Sequence, residues 1–114
     1  MGTIDSKSIQ DAYKKEARSL IKKISKELSF LNSQRNTANG IRYTEYGRRL
    51  FSLFRYAHTL KGISGTCGDY KIEEIAKSVT EIFQTAKDGK FEISPKDKIM
   101  IMEKLKTCEE FIKK

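Results

Sequence analysis

The sequence predicts an all-α protein, an up-down-up-down four-helix bundle. Apolar residues recur at threes, fours and sevens in four segments, polar or glycine-bearing stretches separate those segments, and no stretch alternates as a strand would. The 114 residues suit one domain spanning 1–114, because domains commonly run ~100–150 residues and a chain of this size buries a real core. With 38% hydrophobic and 33% charged residues, the composition is that of a globular protein on the polar side and argues against disorder.

A first helix is expected from about Ser6 to Leu31, where Ile9, Tyr13, Leu20, Ile24, Leu28 and Leu31 form an apolar stripe and Asp5 or Ser6 can cap the start. From Asn32 to Gly40 the run NSQRNTANG is polar and unpatterned, a loop. A second helix, about Tyr43 to Gly65, sets Leu50, Leu53, Ala57, Leu60 and Ser64 on one core-facing stripe. It should fray near Gly65 or Gly68. Asp69 can then cap a third helix that carries Ile72, Ile75, Ala76, Val79, Ile82, Phe83 and Ala86 on one face and stops at Gly89. The fourth helix has the clearest start: Ser94-Pro95-Lys96-Asp97 offers an N-cap, a proline at the first helical position and an acid at N3, and the helix should reach about Ile112. Short links between the last three helices favour antiparallel neighbours, each stripe covering the next.

Several functions are removed early. The longest apolar run, Ile99 to Met102, falls far short of the ~20 residues that span a bilayer, and the N-terminus lacks a secretory apolar region, so a soluble cytoplasmic protein is expected. Cys67 and Cys108 stand 41 positions apart without a CxxC, and one histidine leaves too few soft ligands for zinc; reduced thiols and no metal or cofactor are expected. Neither GxSxG nor GxxxxGK[ST] occurs, which removes a serine hydrolase and a phosphate-holding nucleotide loop.

The one imidazole is His58. At roughly 100° per residue, the core stripe of the second helix is centred about 120° away, so the ring should emerge at the flank of the bundle within reach of a partner. Lys61 is its neighbour three residues on. Gly62, four residues on, puts no side chain where one would shade the ring, and Gly47 and Gly65 lie nearly along the same stripe. Glycine inside a helix costs ~1 kcal/mol relative to Ala, so something other than helix stability favours these residues, and close approach of a macromolecule is a physical reason. An exposed neutral imidazole is a nucleophile, and an ammonium three positions away can hold the oxygens of a phosphoryl group on its ring nitrogen. The same residues also suit a structural surface histidine.

The longer run Ala57-His58-Thr59-Leu60-Lys61-Gly62-Ile63-Ser64-Gly65-Thr66-Cys67-Gly68 resembles the signature of histidine phosphotransfer (HPt) domains, most closely the N-terminal phosphotransfer domain of CheA-type chemotaxis histidine kinases. The resemblance extends over nearly the whole chain, through the GTxG turn and the amphipathic third helix to Lys87-Asp88-Gly89-Lys90 and the final helix. It implies a two-component phosphorelay with His58 as phosphoacceptor, Lys61 as the phosphate-contacting cation and Gly62 as the residue giving access to the ring. In CheA-type domains the third helix usually bears a His and, three residues later, a Glu that engages the far nitrogen of the acceptor ring; Lys77 and Thr80 stand there in this chain. Threonine cannot replace a carboxylate, and without one the nucleophile should be weaker. Glu73, one turn before Lys77, is a candidate to orient the ring in its place, or else an acid on a solvated face. The usual aromatic after the GTxG glycine is also displaced, with Asp69 there and Tyr70 following.

Phe54 is expected in the core, and Phe51, Arg55 and Gly65 on the partner-binding surface. Arg48, Lys61, Lys71 and Lys77 add positive charge around the site, and a net charge of +8 should attract the acidic pocket of a receiver. The implied partners are a response-regulator receiver domain and the ATP-binding domain of a histidine kinase, with no membrane. Lacking a nucleotide loop and a receiver, the chain is expected to carry phosphoryl groups without generating them, as an independent carrier or as part of a kinase. Two other functions stay open: a phosphorylation-incompetent adaptor with the same bundle, and a small basic nucleic-acid-binding bundle. Against nucleic acid, the cations are distributed over all four helices and no recognisable nucleic-acid motif accompanies them.

Overall fold

The computed structural model of the protein describes residues 6–31 and 45–113. Among them are four helices and no strand: α1 (Ser6–Ser29), α2 (Glu45–Thr66), α3 (Tyr70–Lys87) and α4 (Pro95–Lys113). α2 packs most extensively on α3 and next on α1, while α4 lies against α1 and α3 and closes the four-helix bundle. No described helix is long and apolar enough to cross a membrane. The expected cap from Asp5 or the Ser6 side chain, the loop from Asn32 to Gly40 and a start of the second helix near Tyr43 lie outside the described residues.

Local chemistry sets the ends of the helices. α2 stops where Gly68 takes a φ of 78°, and the N–H groups of Gly68 and Asp69 donate back to the carbonyls of Gly65 (3.2 Å) and Ser64 (2.8 Å). α3 stops in the same way at Gly89, with Gly89 and Lys90 donating to Ala86 and Thr85. At the start of α4, Ser94 Oγ accepts the Asp97 N–H at 3.1 Å and the Asp97 carboxylate accepts the Ser94 N–H at 2.9 Å, a reciprocal cap worth about 1 kcal/mol.

Asp69 departs from expectation. It stands at the N-cap of α3 without a side-chain capping bond, because its carboxylate accepts the Tyr13 hydroxyl at 2.9 Å and so ties the α2–α3 turn to α1. Burial, reinforced by this bond, pushes the Tyr13 phenol above its ordinary range.

The core stripe of α2 is the one its spacing predicts: Leu50, Leu53, Ala57 and Leu60 are buried, as is Ser64, whose hydroxyl donates to the Leu60 carbonyl at 2.7 Å. Ile21, Ile24 and Leu28 of α1, Ile72, Val79 and Phe83 of α3, and Ile101, Leu105 and Ile112 of α4 join it in one buried core. Cys67 and Cys108 are free thiols, and burial pushes that of Cys108 up to about 12. Two residues of the expected pattern fall elsewhere. Ile9 continues the α1 stripe in sequence but is 43% exposed, since the facing stretch of α2 contains Gly62, which has no side chain to cover it. Gly47 is buried within α2 packing and does not bare the His58 stripe.

Candidate functional site

His58 stands beyond the midpoint of α2, exposed, beside the buried Ala57. Next to it α1 and α2 leave an open, largely apolar groove of about 660 Å³. Ile9, Ala12, Tyr13 and Glu16 of α1 form one wall; His58, Thr59, Gly62, Ile63, Thr66 and Cys67 form the other. The threonines do not make that wall polar, because Thr59 and Thr66 donate their hydroxyls to the Arg55 and Gly62 carbonyls of their own helix, each at 2.9 Å.

The two glycines that follow His58 have different surroundings. A Cβ built on Gly62 meets nothing within 4 Å, so this position is open space at the groove. A Cβ on Gly65 would stand 2.5 Å from Glu73 Oε2 and 3.0 Å from Glu73 Cδ. Glu73 therefore lies against Gly65, and α3 occupies the space that the sequence reading assigned to a partner.

That contact also fixes the antiparallel register of α2 and α3. Seven residues back from Gly65 is His58, and seven forward from Glu73 is Thr80, about 10.5 Å along each helix, so Thr80 is within about one turn of the level of His58. Thr80 is only 7% exposed and donates its hydroxyl to the Ala76 carbonyl at 2.6 Å. Neither Glu73 nor Thr80 hydrogen-bonds the imidazole, and among the described residues His58 makes no hydrogen bond.

The contact His58 does make is with Phe54, one turn earlier: the ring centroids are 5.7 Å apart and the planes tilted by 34°. Phe54 is half-buried against the core rather than enclosed in it, since one side of its ring meets His58 and the Lys87 ammonium lies 5.3 Å from its centroid. Lys61 is half-buried, and Arg55 and Lys77 are exposed; among the described residues none of the three is in an ion pair. Lys71 is taken away from the site, its ammonium 5.0 Å from the Phe111 ring of α4. Phe51, two turns before His58, is 52% exposed.

Charge is less evenly spread than a count of cations per helix suggests. α1 and α2, which form the groove, carry eleven Lys and Arg against four Asp and Glu, whereas α3 and α4 carry eight against seven.

The α1 wall of the groove has no counterpart among the site residues the sequence points to, which lie on the second and third helices. In sequence Ile9 simply continues the apolar stripe of α1, so no local signal marks it as a groove residue. For Phe54 the signal was its place four residues before His58, a spacing that makes side chains neighbours on a helix.

A family model described as Hpt domain matches residues 8–100, a span from the first turn of α1 into α4. No curated protein and no solved structure matches the chain.

Proposed function

The chain belongs to the Hpt domain family, and we propose from that premise that it is a single phosphotransfer domain, residues 1–114, carrying a phosphoryl group on His58 between a kinase and a receiver aspartate. The observation that carries the reading is the setting of His58: an exposed imidazole at an apolar groove, with Lys61 free of ion pairs among the described residues and open space at Gly62.

In this reading a nitrogen of the neutral ring attacks the phosphorus of a receiver's aspartyl phosphate. The N–P bond forms as the P–O bond breaks, the electron pair leaves on the aspartate carboxylate, and the proton on the other ring nitrogen passes to water. With ATP held by a kinase's ATP-binding domain as donor, ADP is the leaving group. Lys61 offsets charge on the phosphoryl oxygens, and Gly62 leaves room for the donor to approach in line. An acidic, metal-bearing receiver supplies the larger share of stabilisation, so the task of this bundle is presentation.

The groove, together with Phe51 and Arg55, is the docking surface, and the positive excess on α1 and α2 steers an acidic receiver toward it. Within the family the order AHTLKG, GTxG and amphipathic third helix supports a domain of the CheA type, working in the cytoplasm; Lys77 and Thr80 are its departures from that type.

Incubation with a panel of phosphorylated receivers and kinase ATP-binding domains tests the proposal. The expected product is a labelled chain, acid-labile and alkali-stable because a phosphoramidate leaves once its nitrogen is protonated, formed at a rate that falls with salt as charges are screened over ~8 Å. Receiver binding without label from any donor would identify an adaptor instead. Tight, steeply salt-dependent binding of DNA or RNA with no receiver binding would identify a nucleic-acid-binding bundle.

A further inference from the structure

A nucleophilic ring must be held as well as exposed. A histidine on the outside of a helix has several staggered rotamers available, and only those that aim a nitrogen lone pair at phosphorus contribute to the rate. The usual restraint, a carboxylate on the far ring nitrogen, is missing at the level of His58: the Thr80 hydroxyl is committed to the Ala76 carbonyl and Glu73 lies two turns away against Gly65. What touches the imidazole is Phe54, at a centroid distance of 5.7 Å and a tilt of 34°, within the range of favourable aromatic pairs. Phe54 is itself constrained, packed against the core and with the Lys87 ammonium from the last turn of α3 5.3 Å from its centroid.

We infer that Phe54 is a positioning residue for His58: its ring, held by the core and Lys87, restricts the imidazole to the orientation that presents a nitrogen to the phosphoryl donor. This rests on the reading of His58 as phosphoacceptor. The contact supplies orientation only. It adds no negative charge, so the ring is aimed without gaining the basicity that a carboxylate would lend.

The bundle contains its own control. Phe111 on α4 is also half-buried with a lysine ammonium, that of Lys71, 5.0 Å from its centroid, but neither residue lines the groove beside His58. Transfer from one phosphorylated receiver is measured for Phe54→Leu, Phe54→Tyr, Lys87→Gln and Phe111→Leu, each checked for helicity. Phe54→Leu should lower kcat by about 3- to 10-fold with KM unchanged, the range expected from losing one aromatic pair that orients the reacting group. Phe54→Tyr, which keeps the ring, should restore the rate, and Lys87→Gln should lower kcat by a smaller factor, about 2-fold. Phe111→Leu should leave kcat unchanged. In NMR spectra the His58 ring protons should shift in Phe54→Leu and Lys87→Gln and stay in place in Phe111→Leu.

Wild-type kcat and unmoved His58 signals in Phe54→Leu would overturn the inference. So would a raised KM at constant kcat, which makes Phe54 a docking residue, or an equal loss in Phe111→Leu, which makes the effect one of stability. If Phe54→Leu does not fold, Lys87→Gln decides on the same two readouts. Label persisting in His58→Gln is a different result: it removes the phosphoacceptor assignment itself.

Discussion

Gly62 and Gly65 lie three residues apart on α2, and each carries the same cost of about 1 kcal/mol relative to alanine in a helix. Around Gly62 nothing stands within 4 Å of where a Cβ would be, whereas at Gly65 the Glu73 carboxylate is at 2.5 Å. The difference shows two uses of the same residue. Gly65 lets α3 lie close to α2 inside the protein, while Gly62 faces the groove beside His58 and serves nothing within the described chain. Of the three acids on α3, Glu73 goes to the closed position, and Thr80, near the level of His58, is turned onto its own helix. In the proposed function, a site open at Gly62 and given no carboxylate bond from α3 is arranged for access more than for activation.

The largest effect that should sharpen this contrast is crowding at the open glycine. Gly62→Leu should slow phosphoryl transfer at least ~10-fold without loss of thermal stability, since the side chain enters open space and its helix propensity exceeds that of glycine. Transfer at the wild-type rate would break the link between Gly62 and access.

Supplying the missing acid comes next. Thr80→Glu should raise the rate of phosphorylation several-fold, with ~10-fold a generous bound by analogy with the outer-shell partners of metal-bound histidines. Glu73→Gln should change the rate by less than about 2-fold, because Glu73 is roughly 10.5 Å along the helix from the level of His58. A large loss in Glu73→Gln would mean that its carboxylate leaves Gly65 for the imidazole.

The smallest effect separates the two glycines without any chemistry. Denaturant unfolding of Gly62→Ala should show a gain of about 1 kcal/mol, the full propensity difference. Gly65→Ala should gain less, because the new methyl must displace the end of the Glu73 side chain. Equal gains would erase the comparison.

Much of the fold was legible because its signals are local. The Ser94-Asp97 cap, the glycines that end α2 and α3, and the apolar stripe of α2 each depend on residues within a turn or two of one another. What escaped depends on pairs far apart in sequence. Asp69 looks like a helix cap until Tyr13, 56 residues earlier, brings its hydroxyl to it. Gly65 resembles Gly62 until the register of α3 sets Glu73 against it. Ile9 continues a core stripe, and periodicity alone does not say where the facing helix ceases to cover it. Within the site, the exposure of His58 follows from its angle to the stripe, and the contact with Phe54 follows from their spacing of four on one helix.

In the proposed function His58 receives the phosphoryl group, and mapping the modified residue decides it. After transfer from a phosphorylated receiver, peptide mass spectrometry under alkaline conditions should locate one phosphoryl group on His58, and His58→Gln, substituted at an exposed position and folded by circular dichroism, should take up none. Phosphate found on another residue, or equal labelling of His58→Gln, would remove His58 as the acceptor.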